Sequence, residues 1–467
     1  MFKDYCKMSN KKVCIIGAGI GGLTAGALLI KHGYSVKIFD KQPYIGGRAL
    51  CFDASSVGYD EYKKLLSSFN MNVAFSEPDL KDIFDKKMLD GYKLDLGYHA
   101  IGGGVFSNVN NVLSELNNHV YILESKVGLI EENGFRFPFL SKFDKIRILP
   151  KILRLLYASE EKLKELDNVS MSDTIKRYGK GKMKLILEIF SRSITTINNL
   201  DIISTGEMFR AQRNLFKGSK PVGYPKGGLG SITQKFADYI TKNGGEINLA
   251  EPVEKIIIKD NKAIGVLVKD KEIYFDIVIS NILVQDLFKI ADEKIFPKKY
   301  VKDIKSLIGT GSLCAYYSLK KVDKNLIGKT FHFIERGIGI DGNDVVGMID
   351  FMATCKDAGL SPPDKYLVQS YVICTPKEAR DKKILEKLKN LLDKNLKMLI
   401  PDYKTNLNWV IYPAIWHLDG VAKTIYNVKP EIKTPVDNLY IIGDCVKAPG
   451  IGFNCALNSA RMLIDIV

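Results

Sequence analysis

Long hydrophobic runs and paired cysteines are absent from the sequence. No run of about 18 apolar residues occurs, so no transmembrane helix is predicted. Residues 1–10 also lack the apolar core of a secretory signal peptide. The eight cysteines include no CxxC pair, which argues against a thioredoxin-type dithiol and a zinc site, so we expect no metal. These absences favour a reducing, cytoplasmic location, with membrane association left open.

Acidic residues are also in the minority, because 53 Asp and Glu face 68 Lys and Arg, which gives a formal charge of +15. Most of the basic residues are lysine, and no arginine stripe interleaved with aromatics occurs, so nucleic-acid binding is not expected. A general lysine bias explains the charge, and attraction to anionic lipid or an acidic partner is the alternative. The length of 467 residues and the 46% hydrophobic content predict a globular protein of two or three domains, or one large two-part enzyme.

The glycines that are present concentrate first behind a short apolar run at residues 11–17. There Gly17, Gly19 and Gly22 form a GxGxxG motif, a helix-forming stretch follows, and a second apolar run ends at Asp40. Strand, glycine loop, helix and terminal acid in this order predict a dinucleotide-binding βαβ unit. In such a unit a pyrophosphate approaches the backbone at the helix N-terminus, and the acid binds a ribose.

Two further glycine-rich segments have the composition of a polar cradle. Gly46-Gly47-Arg48 lies just beyond the acid, where it offers a second backbone approach and the charge of Arg48. Near residue 440 an apolar run ends in Gly443-Asp444, and Gly450 to Phe453 then open another helix. We expect Asp444 to hold a polyol and the helix N-terminus to stabilise negative charge on a ring.

Together with residues 224–230, 243–247 and 252–256, these motifs resemble the FAD-dependent oxidoreductases of the phytoene desaturase and amine oxidase superfamily. The resemblance implies an α/β fold, with a Rossmann-like FAD-binding domain of the glutathione reductase type and an inserted α+β substrate domain. It implies FAD as the cofactor, with Val253 near the adenine and Asp444 near the ribityl chain. The implied FAD-binding residues are Gly17, Gly19, Ile20, Gly21, Gly22, Asp40, Lys41, Gly46, Gly47, Arg48, Val253, Gly443, Asp444, Gly452 and Phe453.

Only one GxGxxG loop occurs, so no tightly bound nicotinamide cofactor is expected. The resemblance divides the chain into FAD-binding pieces and substrate-domain pieces. The FAD-binding pieces are 9–106, 224–285 and 436–467, and the substrate-domain pieces are 107–223, mostly helical, and 286–435, with mixed sheet and helix. Residues 52–93 form an insertion where a short link is expected, and we expect it to cap the site or serve a partner. Strands are predicted at 253–259, 263–268, 272–280, 313–319, 345–351 and 366–374, and helices at 60–69, 376–398 and 454–467.

Three residues are candidates for chemistry beside the flavin. His99 lies in a glycine-rich segment, residues 94–104, which in the resembling family passes close to the flavin ring, and it is a candidate general acid or base. Trp416 and His417 lie in residues 409–420, where aromatic walls suit a flat or apolar substrate. The alternatives are a structural histidine on a turn and a core strand whose tryptophans simply pack.

Residues 139–166 interleave apolar and basic residues in the pattern of a basic amphipathic helix. Such a helix can lie in a membrane interface, which would make the protein a peripheral membrane protein. The alternative is a packed helix with a solvated lysine face.

The leading prediction is a phytoene desaturase-like, FAD-dependent oxidoreductase. It would move a hydride between flavin N5 and a hydrophobic, carotenoid- or isoprenoid-like substrate, by desaturation, saturation or isomerisation. One alternative is a flavin amine oxidase with an aromatic cage that includes Tyr412 and Trp416. Another is a prenyl- or lipid-binding escort protein on the same fold, against which the intact flavin motifs argue. The substrate, the reaction direction, the electron acceptor, the oligomeric state and a covalent flavin link, for which Cys445 and Cys455 flank the right region, stay open.

Overall fold

The computed structural model describes residues 11–97, 100–215, 222–339 and 343–467, except for the side chains of residues 151, 152, 155, 156, 214 and 215. The helices are α1 (Ile20–Lys31), α2 (Tyr59–Ser68), α3 (Leu80–Asp85), α4 (Asn108–Glu115), α5 (Lys142–Leu156), α6 (Glu160–Lys164), α7 (Met171–Tyr178), α8 (Lys182–Thr195), α9 (Thr205–Leu215), α10 (Gly230–Lys242), α11 (Lys298–Lys305), α12 (Lys382–Leu399), α13 (Tyr403–Asn406) and α14 (Gly452–Ile464). Within the described ranges, none of these helices is both long and apolar enough to cross a bilayer.

The strands complete the framework. They are β1 (Lys12–Ile16), β2 (Ser35–Phe39), β3 (Cys51–Asp53), β4 (Met71–Glu77), β5 (Lys93–Asp95), β6 (Ile101–Gly102), β7 (Ile122–Ser125), β8 (Val127–Glu131), β9 (Gly134–Arg136), β10 (Val222–Pro225), β11 (Glu246–Asn248), β12 (Lys255–Lys259), β13 (Lys262–Val268), β14 (Lys271–Tyr274), β15 (Ile277–Ser280), β16 (Gly311–Leu319), β17 (Thr330–Glu335), β18 (Val345–Asp350), β19 (Tyr366–Cys374), β20 (Leu407–Ile415) and β21 (Leu439–Ile441).

A five-stranded parallel sheet carries the predicted βαβ unit, and its strands run in the order β11, β2, β1, β15, β21. In β1, the consecutive residues Val13, Cys14 and Ile15 are fully buried. Since successive side chains of a strand point to opposite faces, both faces of this sheet are covered. Helix α1 packs between this sheet, α10 and α14. The expected Rossmann-like α/β unit is confirmed.

An eight-stranded mixed sheet forms the second part of the molecule, in the order β4, β20, β16, β19, β18, β17, β8, β9. Side chains of β16 alternate between two clusters. The α12 cluster on one face contains Leu313 and Tyr317 together with leucines of α12. The Leu418 cluster on the other face contains Cys314 and Tyr316 together with Leu418. The predicted strands at 313–319, 345–351 and 366–374 are confirmed as β16, β18 and β19, whereas β17 was not anticipated.

The insertion at 52–93 contributes one strand to this second sheet. Its strand β4 pairs antiparallel with β20 and forms the edge of the sheet. Its backbone also reaches Trp409, whose indole Nε1 donates to the carbonyl oxygen of Met88 at 2.9 Å. The sheet therefore draws strands from three separate stretches of chain, while the exact domain boundaries stay a prediction.

Two sequence-based element predictions were wrong in their extent. Residues 272–280 do not form one strand: β14 stays in an antiparallel sheet with β13, and β15 crosses to the parallel sheet beside β1. The helix expected from residue 376 begins only at Lys382, because the side chain of Asp381 accepts hydrogen bonds from the amides of Lys383 and Ile384.

Candidate functional site

The loop between β1 and α1 brings an uncapped helix N-terminus to the edge of the parallel sheet. Gly17 adopts φ +105°, and its amide donates to the carbonyl oxygen of Phe39 at 2.8 Å. A methyl group at Gly22 would collide with the carbonyl oxygen of Gly17. Helix α1 begins at Ile20, and no side chain caps it at Gly19. The first-turn amides and the positive end of the helix dipole are therefore left to an anionic ligand.

The second glycine segment lies directly against this loop. The amide of Gly46 donates to the carbonyl oxygen of Ala18 at 2.8 Å, and Gly46 forms a parallel bridge with Gly19. A methyl group at Gly47 would lie 3.1 Å from the Cα of Gly19. Two backbone surfaces without side chains therefore meet here, as a bound pyrophosphate requires.

The carboxylate of Asp40 is hydrogen-bonded to the loop between β1 and α1. It accepts hydrogen bonds from the amide of Ala18 at 2.6 Å and from the amide of Gln42 at 2.8 Å. Burial raises the pKa of Asp40 above its ordinary value, and these two hydrogen bonds oppose that shift. Lys41 is exposed next to it, and Val253 is buried in the core beneath the sheet. Contacts of these residues with a nucleotide stay a prediction.

The half-buried Arg48 and the buried Asp444 form an ion pair, with 2.7 Å between Nη2 and Oδ1. Arg48 Nη1 also donates to the carbonyl oxygen of Leu418 at 2.9 Å, and the amide of Gly420 donates to Asp444 Oδ2 at 3.0 Å. Burial alone would raise the pKa of Asp444, but the charge and hydrogen bond of Arg48 hold it well below its ordinary value. The pair joins the second glycine segment, the end of the eight-stranded sheet and the turn after β21.

Asn281 is a site residue that sequence analysis missed. It follows β15, and its Nδ2 donates to the carbonyl oxygen of Gly17 at 3.2 Å. Methyl groups added at Gly19 and Gly443 would each lie 3.2 Å from its side-chain amide. Asn281 therefore spans the first glycine loop and the turn that carries Asp444. The sequence signal was a polar residue directly behind an apolar run, but only the strand order places β15 beside β1.

The N-terminus of α14 completes the polar corner. The helix begins at Gly452, φ +47°, and no side chain caps it. Phe453 is half-buried. Asn454 Nδ2 donates to the carbonyl oxygen of Gly102 at 3.0 Å, and its Oδ1 accepts from the amide of Asn108 at 3.1 Å. The glycine-rich segment that was predicted to pass the flavin is therefore anchored to α14.

The candidate catalytic residues fall in different places. His99 lies outside the described residues. The carbonyl oxygen of His417 accepts from Arg48 at 3.3 Å, and its buried Nδ1 has no hydrogen-bond partner among the described residues. Burial and the charge of Arg48 lower the pKa of His417. Trp416 is half-buried, packs against the α12 cluster and lies under the guanidinium of Arg380, at 5.1 Å from the ring centroid.

Two lysines are a further feature of the site that the sequence did not reveal. Lys429 Nζ donates to the backbone carbonyl oxygen of Asp444 at 3.1 Å. Lys423 is buried, and burial together with the charge of Lys429 lowers its pKa below the ordinary value. Cys445 and Cys455 are both buried free thiols in this region. A basic lining therefore lies behind the turn that carries Asp444.

Comparisons with known proteins agree with these features. Residues 20–462 match the family described as flavin containing amine oxidoreductase. An uncharacterized protein of Methanocaldococcus jannaschii is 27% identical over 62% of this chain and 62% of its own length. A 1-hydroxycarotenoid 3,4-desaturase of Flavobacterium sp. is 26% identical over 67% of this chain and 64% of its own length. A 4,4'-diaponeurosporene oxygenase of Staphylococcus haemolyticus is 25% identical over 62% of this chain and 59% of its own length. The chain thus spans less than two thirds of the length of these relatives.

Solved structures with the same fold cover nearly the whole chain. An oxidoreductase from Methanosarcina mazei has a TM-score of 0.74 at 21% identity, over 97% of this chain and 100% of its own. Putrescine oxidase bound to putrescine has a TM-score of 0.66 at 14% identity, over 98% and 99%. Rab GDI from Plasmodium falciparum has a TM-score of 0.55 at 14% identity, over 98% and 98%. At these identities the similarity shows the fold alone.

The residues present fit FAD. The two glycine segments leave no side chain where they meet, so a pyrophosphate can approach both backbones. The uncapped N-termini of α1 and α14 suit the phosphates and an electron-rich ring, and the ionised Asp444 suits a polyol. Which residues contact each part of FAD stays a prediction from the resemblance.

The family match over residues 20–462, the parallel sheet and the glycine-lined corner lead to one assignment. The chain belongs to the flavin containing amine oxidoreductase family.

Proposed function

We propose that the protein transfers a hydride between FAD and a hydrophobic, carotenoid- or isoprenoid-like substrate, in a desaturation, saturation or isomerisation. The observation that carries this proposal is that the hydrophobic Leu418 cluster adjoins the Arg48–Asp444 pair. Leu418 gives its carbonyl oxygen to Arg48, while its side chain lies in the Leu418 cluster with Leu96 and Ile415. Names of relatives such as the carotenoid desaturase support the same substrate class.

FAD, when bound, supplies the two-electron redox chemistry, and the protein supplies orientation and electrostatics. Arg48 and Gly420 hold the carboxylate of Asp444 in one orientation. His417 is the candidate contact to substrate, because its ring is partly buried and Nδ1 is unpartnered among the described residues. Its lowered pKa favours the neutral ring, which can donate or accept a hydrogen bond without placing a charge beside an apolar substrate.

The first test uses the purified, FAD-loaded protein without oxygen. Long polyenes and shorter isoprenoid lipids are added in detergent, and the flavin absorbance is followed while the organic extract is analysed by mass spectrometry. We expect flavin bleaching together with products that have lost two hydrogens, or the reverse change when the flavin is reduced first. Bleaching by amines alone would refute the proposed substrate class.

His417→Asn tests the proposed contact. We expect KM for the apolar substrate to rise, while the FAD content and the visible spectrum stay unchanged. His119→Asn is the matched control, because it makes the same change at an exposed histidine. An unchanged KM in His417→Asn would remove this residue from the substrate site.

A flavin amine oxidase is the second candidate. The contact of Lys429 with the backbone of Asp444 and the burial of Lys423 favour it. The positions of the residues predicted to form its aromatic cage argue against it. Tyr412 is fully buried in the α12 cluster, its hydroxyl donates to Asp393 at 2.5 Å, and Trp416 packs against the same cluster. Peroxide release with a panel of amines would support this candidate, and a colourless protein carrying bound lipid would instead support an escort protein.

A further inference from the structure

Helix α5 leaves a row of large apolar side chains in solvent. Phe143 is 73% exposed, Ile146 69% and Tyr157 85%, and Leu149 and Leu153 are also exposed. Scattered single apolar residues are normal on a protein surface, but five along one short segment form a contiguous patch. Exposing these side chains to water is unfavourable, so we expect an apolar partner to cover this surface.

These five side chains share one face of the helix. Their spacings of three, three, four and four residues keep them within about a third of the helix circumference at 100° per residue. The opposite side is anchored: Ile148 packs against the Leu418 cluster, and Asp144 forms an ion pair with Lys182 at 2.9 Å. The side chain of Asp144 also accepts from the hydroxyl of Ser141 at 2.7 Å. The apolar row therefore faces outward on a fixed helix. We call it the α5 stripe.

Basic residues border the α5 stripe. The helix sequence contains five basic residues and one acid. At 100° per residue, Lys145 lies along one edge of the stripe, and Arg147 and Arg154 lie along the other. All three are exposed, and none forms an ion pair with another described residue. A positively charged border around an apolar face matches a negatively charged surface with an apolar interior.

We propose that α5 is a membrane-docking helix, which lies in the interface of an anionic lipid bilayer with the α5 stripe inserted among the lipid chains. A second copy of this chain is the poorer occupant, because a symmetric pair of stripes would place Lys145, Arg147 and Arg154 against like charges. The net charge of +15 adds long-range attraction to an anionic surface. The inference does not depend on the substrate class proposed above.

The experiment measures vesicle binding of the full, FAD-loaded protein by flotation. The vesicles are phosphatidylcholine with or without phosphatidylserine, at low and high salt. Wild type is expected to bind the anionic vesicles, and more weakly at high salt. Ile146→Glu/Leu153→Glu should bind at least about tenfold more weakly, because two charges would enter the apolar layer. Replacing Lys145, Arg147 and Arg154 with glutamine should weaken binding about a hundredfold, since each charge near the surface contributes roughly a factor of five.

Ile308→Glu/Ile466→Glu is the matched control, because these residues are 62% and 44% exposed and lie elsewhere in the sequence. It should bind like wild type, and all variants should keep the wild-type FAD content and melting temperature. The proposal is overturned if the stripe variant and the control bind equally, or if wild type binds neutral and anionic vesicles alike. It is also overturned if wild type ignores vesicles and self-associates through a surface that Ile146→Glu/Leu153→Glu disrupts.

Discussion

Replacing Arg48 by methionine should leave a buried carboxylate without its cation. The substitution keeps most of the side-chain volume but removes the 2.7 Å contact to Asp444 and the two hydrogen bonds to carbonyl oxygens of the segment after β20. Among the residues that the structure describes, the amide of Gly420 would still donate a hydrogen bond to Asp444. We therefore expect a large loss of stability in the apoprotein and a weaker affinity for FAD.

The magnitude follows from the exposure of the two partners. The side chain of Asp444 is 8% exposed and that of Arg48 is 27% exposed. Removing one partner of a fully buried ion pair costs about 3–5 kcal/mol. Because water reaches part of Arg48, we expect Arg48→Met to lower the free energy of unfolding by about 2–4 kcal/mol at pH 8.

The loss should depend on pH in a defined direction. In wild type the folded pKa of Asp444 lies below the unfolded value of about 3.9. The contribution of Asp444 to the free energy of unfolding is therefore complete above the unfolded pKa and is lost as the pH falls through the folded pKa. In Arg48→Met, burial without the cation should raise the folded pKa above the unfolded value. The difference between the two proteins should then shrink as the pH falls from 8 to 5.

Urea unfolding of both apoproteins at pH 5 and pH 8 measures these differences, and flavin fluorescence gives the Kd for FAD. Lys447→Met is the matched control, because Lys447 pairs with Glu431 at 2.9 Å while both side chains are more than half exposed. Such a surface pair is worth less than about 1 kcal/mol. Arg48→Met/Asp444→Asn should recover part of the loss. Equal losses of unfolding free energy in Arg48→Met and Lys447→Met at pH 8 would contradict this prediction.

Three further predictions concern single residues. Gly22→Ala should abolish FAD retention, seen as a colourless purified protein, because its methyl group collides with the carbonyl oxygen of Gly17. Asn281→Ala should weaken FAD binding about tenfold in a fluorescence titration, because it removes the hydrogen bond to the carbonyl oxygen of Gly17. Asn243→Ala, which removes an exposed hydrogen bond to a helix carbonyl, should leave FAD binding unchanged. Burial raises the pKa of Asp350 to about 8, so wild type loses unfolding free energy as the pH rises from about 4 to 8. Asp350→Asn should therefore stabilise the protein more at pH 8 than at pH 5 in thermal unfolding, and a pH-independent effect would contradict this.

The βαβ unit could be predicted because all of its signals are local. The apolar run before Gly17, the glycine spacing and the acid at the end of the second run lie within about thirty residues. Periodicity also located β16, β18 and β19, since each is mostly apolar and is buried along nearly its whole length. It failed at residues 272–280, where one apolar stretch is divided between two sheets. Nothing in a local pattern states which sheet a strand joins.

The glycine segments and helix starts of the candidate site could be recognised from the sequence, because they act through the backbone beside them. How these segments are held together depends on contacts between residues that lie far apart in the chain. Arg48 and Asp444 are separated by 396 positions, and Asn281 reaches Gly17 only because β15 lies next to β1. The fold also decided that Tyr412 and Trp416 face the α12 cluster. Contacts between distant residues depend on strand order and on the face that each strand buries, and both are set by packing of the whole chain.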